Sequence, residues 1–221
     1  MTQMHPSRRL ILLVHALLSA LVLMAPTLAA QDALHEYRPE IIVTLPRWHG
    51  VGVTVIDEQH VASGDLAPTE RQQGMGMVSP AFAHGSFGVE LRQVTMASGI
   101  VEHRWQPQTN LIAELGVGLE LRNRTRVELR DIAGQWSRRY QNRAAVHYPV
   151  RAAGRTLSPY VYYDLSYDTR FAVLNRREYA AGMRIPLGYG VNVDSFLMRQ
   201  TDTRRAVDAL VAIGMILRVA L

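Results

Sequence analysis

The chain of 221 residues carries 24 basic and 19 acidic side chains, no cysteine and 48% hydrophobic residues, which suits one domain of ordinary size. Without cysteine it has no disulfide framework, thiolate metal site or thiol nucleophile. Its mild positive charge does not argue for nucleic acid as a partner.

Residues 1–30 have the order of a secretory signal peptide: Arg8 and Arg9, an apolar run from Leu10 to Met24, then small residues ending at Ala30. The expectation is a cleaved leader and an exported single domain over 31–221. Removing the leader takes away two arginines and no acid, leaving 22 basic and 19 acidic groups. No later stretch reaches the roughly 18 uncharged apolar residues that a spanning helix needs. All 24 basic residues are arginine, and they are unevenly placed, with four arginines and eight acids in 31–100 against 18 and 11 in 101–221.

Strands are predicted at 34–45, 50–61, 71–82 and 85–96, separated by polar or glycine-containing turns at 47–50, 63–68 and 83–85. From residue 101 the dominant period is two, that of a strand with unlike faces. Over 111–121, Leu111, Ala113, Leu115, Val117, Leu119 and Leu121 oppose Ile112, Glu114, Gly116, Gly118 and Glu120. Val127 and Leu129 then alternate with Arg122, Arg124, Arg126, Glu128 and Arg130, a charged ladder. Tyr140, Ala144, Val146 and Tyr148 oppose Arg139, Gln141, Arg143 and His147, and Val161, Tyr163, Leu165 and Tyr167 oppose Tyr162, Asp164, Ser166 and Asp168. Tyr179, Ala181, Met183 and Ile185 face away from Glu178, Gly182 and Arg184. In the last run, Val207 to Leu221 keep apolar parity against Asp208, Gly214 and Arg218. Breaks fall at 131–135, 151–157, 169–174, 187–190 and 200–205. About ten residues per tilted strand plus a turn gives eight to ten strands, with up to twelve possible, and an even count would let the sheet close on itself.

The expected fold is all-β, an antiparallel up-and-down transmembrane barrel. A soluble barrel turns the apolar face inward and an outer-membrane barrel turns it to lipid. The polar face decides: glycines among Glu and Arg suit a narrow lumen where opposite charges pair and glycines make room for long neighbours. Tyr148, Tyr160, Tyr179 and Tyr189 lie near predicted strand ends, as aromatic belts do, and Trp48, Trp105 and Trp136 read as interface anchors. The apolar parity carried to the last residue resembles what outer-membrane insertion machinery receives, with Leu221 where an aromatic residue is usual. The expected lumen charge network is Glu114, Glu120, Arg122, Arg124, Arg126, Glu128, Arg130, Arg139, Arg143, Asp164, Asp168, Glu178, Arg184, Asp208 and Arg218.

Four segments in order carry a resemblance: Glu102-His-Arg-Trp-Gln106, Arg122-Asn-Arg-Thr-Arg-Val-Glu-Leu-Arg130, Pro159-Tyr-Val-Tyr-Tyr-Asp164 and Leu174-Asn-Arg-Arg-Glu-Tyr-Ala-Ala-Gly182. Over about 100–221 the chain resembles a bacterial domain-of-unknown-function family of small outer-membrane-barrel-like proteins. The resemblance implies a barrel in the outer membrane and supplies no catalytic residue.

Three roles follow as expectations: a structural or adhesive barrel, with limited solute passage as a variant, an outer-membrane lipid-modifying enzyme, or a soluble periplasmic carrier of an apolar ligand. The enzyme needs a nucleophile, base and acid. The chain has no Gly-x-Ser-x-Gly elbow, and its one close pair, His84 and Ser86, reads as a hairpin turn. His35, His49, His60, His84, His103 and His147 show no metal-ligand spacing. No cofactor is expected, and the expected partners are outer-membrane lipid and the insertion machinery.

Overall fold

The computed structural model describes residues 34–63, 68–116, 118–152, 154–203 and 209–221. The expected leader, and Asp208 of the expected charge network, lie outside these. The described chain is all strand and turn: β1 (Leu34–Thr44), β2 (Gly52–Ala62), β3 (Glu70–Phe82), β4 (Gly85–Met96), β5 (Val101–Glu114), β6 (Glu120–Ile132), β7 (Gln135–His147), β8 (Val150–Ala152), β9 (Arg155–Asp168), β10 (Val173–Gly188), β11 (Val191–Asp202) and β12 (Leu210–Ala220).

Neighbours in sequence pair antiparallel from β1 through β7, β7 pairs with β9, and β9 continues through β10 and β11 to β12. The three-residue β8 pairs only with the start of β9, from Val150 opposite Leu157 to Ala152 opposite Arg155. The ring closes where β1 lies parallel to β12, Leu34 beside Leu210 and Thr44 beside Ala220. Setting β8 aside, eleven of the twelve strands form the barrel. This corrects the expectation of an even count, because an odd ring of up-and-down strands closes through one parallel pair. Closure removes both sheet edges, which otherwise expose unpaired backbone groups.

Turn chemistry explains the hairpins. At Ala133-Gly134 both residues have positive φ, 49° and 84°, as a two-residue type I′ connection requires, and Asp131 Oδ1 accepts the Gly134 N–H at 2.9 Å. Gly116 and Gly118 have φ of 78° and 81° in the five-residue turn between β5 and β6. The run 111–121 is therefore the end of one strand, a turn, and the start of the next, and these two glycines shape a turn and do not line the lumen. Gly182 and Gly214 do face inward. A Cβ on Gly182 would meet Tyr160 Cζ at 2.6 Å, and one on Gly214 would run into the Phe196 ring, each the residue directly opposite on the neighbouring strand.

The alternation shows at the middle of β12, where Ile213 and Met215 are 54% and 55% exposed while Ala212 is 0%, although Val211, of outward parity, is buried. Trp48, Trp105 and Trp136 are exposed as well. Two of the tyrosines expected in a belt depart from it. Tyr160 is buried in the lumen, stacked on His147 with ring centroids 5.1 Å apart. Tyr179 faces outward but sits mid-strand against Tyr163, with centroids 4.7 Å apart.

Candidate functional site

The inward parity of each strand places charge in the lumen, and the sequence supplies it as a repeated unit. Residues two apart share a strand face, so Glu-x-Arg puts a carboxylate beside its own guanidinium. Arg38 Nε donates to Glu36 at 3.0 Å, Arg104 Nε to Glu102 at 2.8 Å and Arg122 Nη2 to Glu120 at 2.6 Å, and Arg92 Nε bonds Glu90 in the same way.

Pairs between strands join these units. At the rim that holds the β6–β7 and β9–β10 turns, Arg130 bonds Glu102 through Nε and Nη2 and reaches Asp168 at 3.0 Å. Arg139 lies 3.4 Å from both Asp168 and Glu128. Arg170, in the turn after β9, donates to Asp168 at 2.8 Å, and this hydrogen bond raises the guanidinium pKa. At mid-barrel, Arg92 reaches Glu58 at 2.7 Å and Gln72 at 2.9 Å, while Arg126 bonds Gln108 at 2.9 Å and Glu90 at 3.3 Å. Arg143 holds Asp164 at 2.7 Å and Glu178 at 3.2 Å and lies over the Tyr162 ring at 4.0 Å. Toward the opposite rim, Asp194 receives Arg184 at 2.7 Å and Arg218 at 2.8 Å. Buried charges survive only when paired and hydrogen-bonded in this manner.

Of the residues expected in the network, Glu120, Arg122, Arg124, Arg126, Glu128, Arg130, Arg139, Arg143, Asp164, Asp168, Glu178, Arg184 and Arg218 lie on lumen-facing positions joined by these contacts. Glu114 is exposed at the end of β5 and stands apart. Sequence reasoning missed Glu36, Arg38, Glu40, Glu58, Glu90, Arg92, Glu102, Arg104, Arg176 and Asp194. The Glu-x-Arg unit, present at 36–38, 90–92, 102–104, 120–122 and 128–130, was the signal that reveals most of them, although at 128–130 the two side chains bond partners on other strands instead.

One wall of the lumen is apolar: Ala180, Met198, Leu210 and Ala212 pack together with Tyr162 and Phe196. Between this wall and the charged strands lies a cavity of about 470 Å³. Its lining includes ten arginines and six carboxylates, and it stops short of Glu102, Arg130 and Asp168. Arg124 is the least satisfied of the ten. It stands directly opposite Arg143, its carboxylate contact is Asp164 at 3.9 Å, and its buried Nε has no hydrogen-bond partner. The chamber thus offers guanidinium groups in excess of the carboxylates that share it. Among the described residues no group of three His, Asp or Glu is placed to hold a metal. Ser86 Oγ accepts from Asn110 at 3.3 Å, and the His84 carbonyl, in the β3–β4 turn, accepts from the Ile112 N–H at 2.8 Å.

No curated protein matches the sequence. Among solved structures, the chain is similar to LpxR from Salmonella typhimurium at 9% identity and a TM-score of 0.51, covering 77% of this chain and 83% of that one. It is similar to the beta domain of the Bordetella autotransporter BrkA at 12% identity, a TM-score of 0.48 and coverage of 74% and 82%. It is also similar to the anion-selective porin from Comamonas acidovorans at 12% identity and a TM-score of 0.40, spanning 53% of that chain. At this identity the likeness to LpxR concerns the fold alone. Residues 78–211, more than half the chain, match the family described as Protein of unknown function (DUF2490), and the chain with its charge-filled barrel belongs to that family.

Proposed function

We propose that this protein is an integral outer-membrane barrel whose lumen admits small solutes, anions ahead of cations, at low conductance. The observation that carries the reading is the cavity lining, ten arginines against six carboxylates. A ring of guanidinium groups lowers the barrier for anions and raises it for cations, and Arg124 offers a charge without a close counterion. The membrane location is supported by the outward apolar parity at Ile213, Met215, Leu217 and Val219, which also presents β12 to the insertion machinery in the form such chains take. Outer-membrane lipid is the proposed partner of this face.

The experiment is a planar-bilayer recording of the purified protein with a potassium chloride gradient. The expected result is small unitary steps with a reversal potential on the chloride side. Cation preference overturns the reading. A second reading, a closed structural barrel, is favoured by the Glu102, Arg130 and Asp168 cluster, whose two carboxylates are fully buried, and it predicts no conductance at all. Recovery of the protein from the periplasm in soluble form without detergent would remove both.

A further inference from the structure

The outward wall of β5–β7 departs from the apolar rule. Asn123, Thr125 and Asn142 point away from the lumen near the middle of β6 and β7, with Thr125 opposite Asn142 on one side and Thr109 on the other. They bond one another. Asn123 Nδ2 donates to Asn142 Oδ1 at 3.2 Å, and Asn142 Nδ2 donates to Asn123 Oδ1 at 3.2 Å and to Thr125 Oγ1 at 2.9 Å. Exposed Thr109 and Ala144 flank them with little bulk. At comparable positions on other strands the wall presents Met75, Leu91, Val161 and Ile213. Another polar contact on the outer face, Arg71 with Asp57, closes on itself through two hydrogen bonds of 3.0 Å.

Counting donors and acceptors shows what the amide patch lacks. A primary amide has two N–H donors and an oxygen with two lone pairs. Asn142 uses both donors and accepts one bond, whereas Asn123 uses one donor of two. With the Thr125 hydroxyl donating to Asn123 Oδ1 at 3.4 Å, the two outward amides keep one donor, on Asn123, and one acceptor, on Asn142, side by side. Hydrocarbon offers neither a partner, and polar side chains in membranes bond across to another segment where small residues permit close approach. A donor and an acceptor on one patch are satisfied by the same patch rotated by a twofold axis, which pairs each with its opposite in the second copy.

We propose that the β5–β7 wall is the interface of a homodimer in the membrane, with Asn123 of each copy donating to Asn142 of the other. The proposal rests on the membrane location and not on the lumen's conductance, and the test keeps insertion and association apart. The full chain is reconstituted in phospholipid vesicles, insertion is followed by the gel shift between unboiled and boiled samples, and copies per particle are counted by single-molecule photobleaching at falling protein-to-lipid ratio. The native chain is expected to be dimeric, and Asn123→Leu with Asn142→Leu is expected to raise the dissociation constant roughly tenfold or more while the gel shift persists. The chain has no cysteine, so Asn142→Cys reports the interface directly. It is expected to give a disulfide dimer on mild oxidation, whereas Met215→Cys on the far wall gives none. Should the double variant fail to insert, the two cysteine variants decide. A native chain that stays monomeric at every ratio, photobleaching counts above two copies per particle at low protein-to-lipid ratio, or equal cross-linking from both walls overturns the proposal. Loss of the gel shift in the native chain instead refutes the membrane location.

Discussion

Glu102→Gln tests whether the lumen at this level behaves as a dry interior. Glu102 is 0% exposed and receives two hydrogen bonds from Arg104, at 2.8 and 3.2 Å, and two from Arg130. Glutamine keeps the shape and one acceptor but removes the charge and turns the other oxygen into a donor aimed at guanidinium N–H groups. The two arginines then differ in what remains to them. Arg130 retains Asp168 at 3.0 Å, while the other hydrogen bond of Arg104 runs to Gln72 at 3.5 Å. Removing one partner of a buried ion pair costs about 3–5 kcal/mol, and the second carboxylate on Arg130 puts the expected loss near the lower figure. An ion pair in open water would lose less than about 1 kcal/mol. The assay is reversible urea unfolding in lipid vesicles, read by tryptophan fluorescence and by the gel shift. Glu102→Gln with Arg104→Gln should recover part of the loss, because the guanidinium that has lost its carboxylate hydrogen bonds is gone, while Glu128 and Glu70, whose charges also act on it, limit how much is recovered. A loss under about 1 kcal/mol that shrinks further in 1 M salt, where screening acts within about 3 Å, would show that bulk water reaches this cluster and refute the argument that these buried side chains are dry.

Two further substitutions probe the faces of β12. Ile213→Arg, directed at lipid, should lower folding yield into bilayers by about 2–4 kcal/mol, more than Ala212→Leu, which adds apolar bulk among Met198, Leu210 and Ala180; the reverse order would mean that the faces are exchanged. Gly214→Ala should cost about 1–3 kcal/mol in the same urea titration through overpacking against Phe196, and Phe196→Ala in that background should reduce this penalty; failure of the second change to help would place the strain elsewhere.

Strand positions were legible wherever one face was apolar. The four early strands fall within two residues of those expected, since Tyr37, Val55, Met75 and Leu91 mark the outward parity. Two features were not legible. The β5–β6 turn keeps the parity of its flanking strands through Leu115 and Leu119, so a period-two pattern ran straight across it, and glycine reads the same in a turn as in a lumen. The register of closure was hidden as well, because parity shows which face a residue takes and says nothing about which strand lies beside it. The ladder at 122–130 stood out as a dense arginine run, whereas Glu36, Glu90 and Glu102 each have a single arginine two residues on, a sparser pattern that a search for charge runs passes over. Tyr160 was misplaced because tyrosine suits an interface belt and a lumen equally, and only the space opposite Gly182 selects between them.

The Glu-x-Arg unit bears on how such a chain enters a bilayer. Glu36 with Arg38, Glu90 with Arg92, Glu102 with Arg104 and Glu120 with Arg122 are bonds between residues two apart, so each forms as soon as its own strand is extended and needs no neighbour. Each such pair sets a carboxylate beside its own guanidinium within one strand, so less unmatched charge is left to desolvate when the hairpins assemble. The contacts from Arg130 to Asp168 and from Arg126 to Glu90 span 38 and 36 residues and can form only after several hairpins are in place. Charge neutralisation is thereby divided in time: the local pairs lower the barrier to entry, and the distant pairs are left to lock the ring once its strands have met.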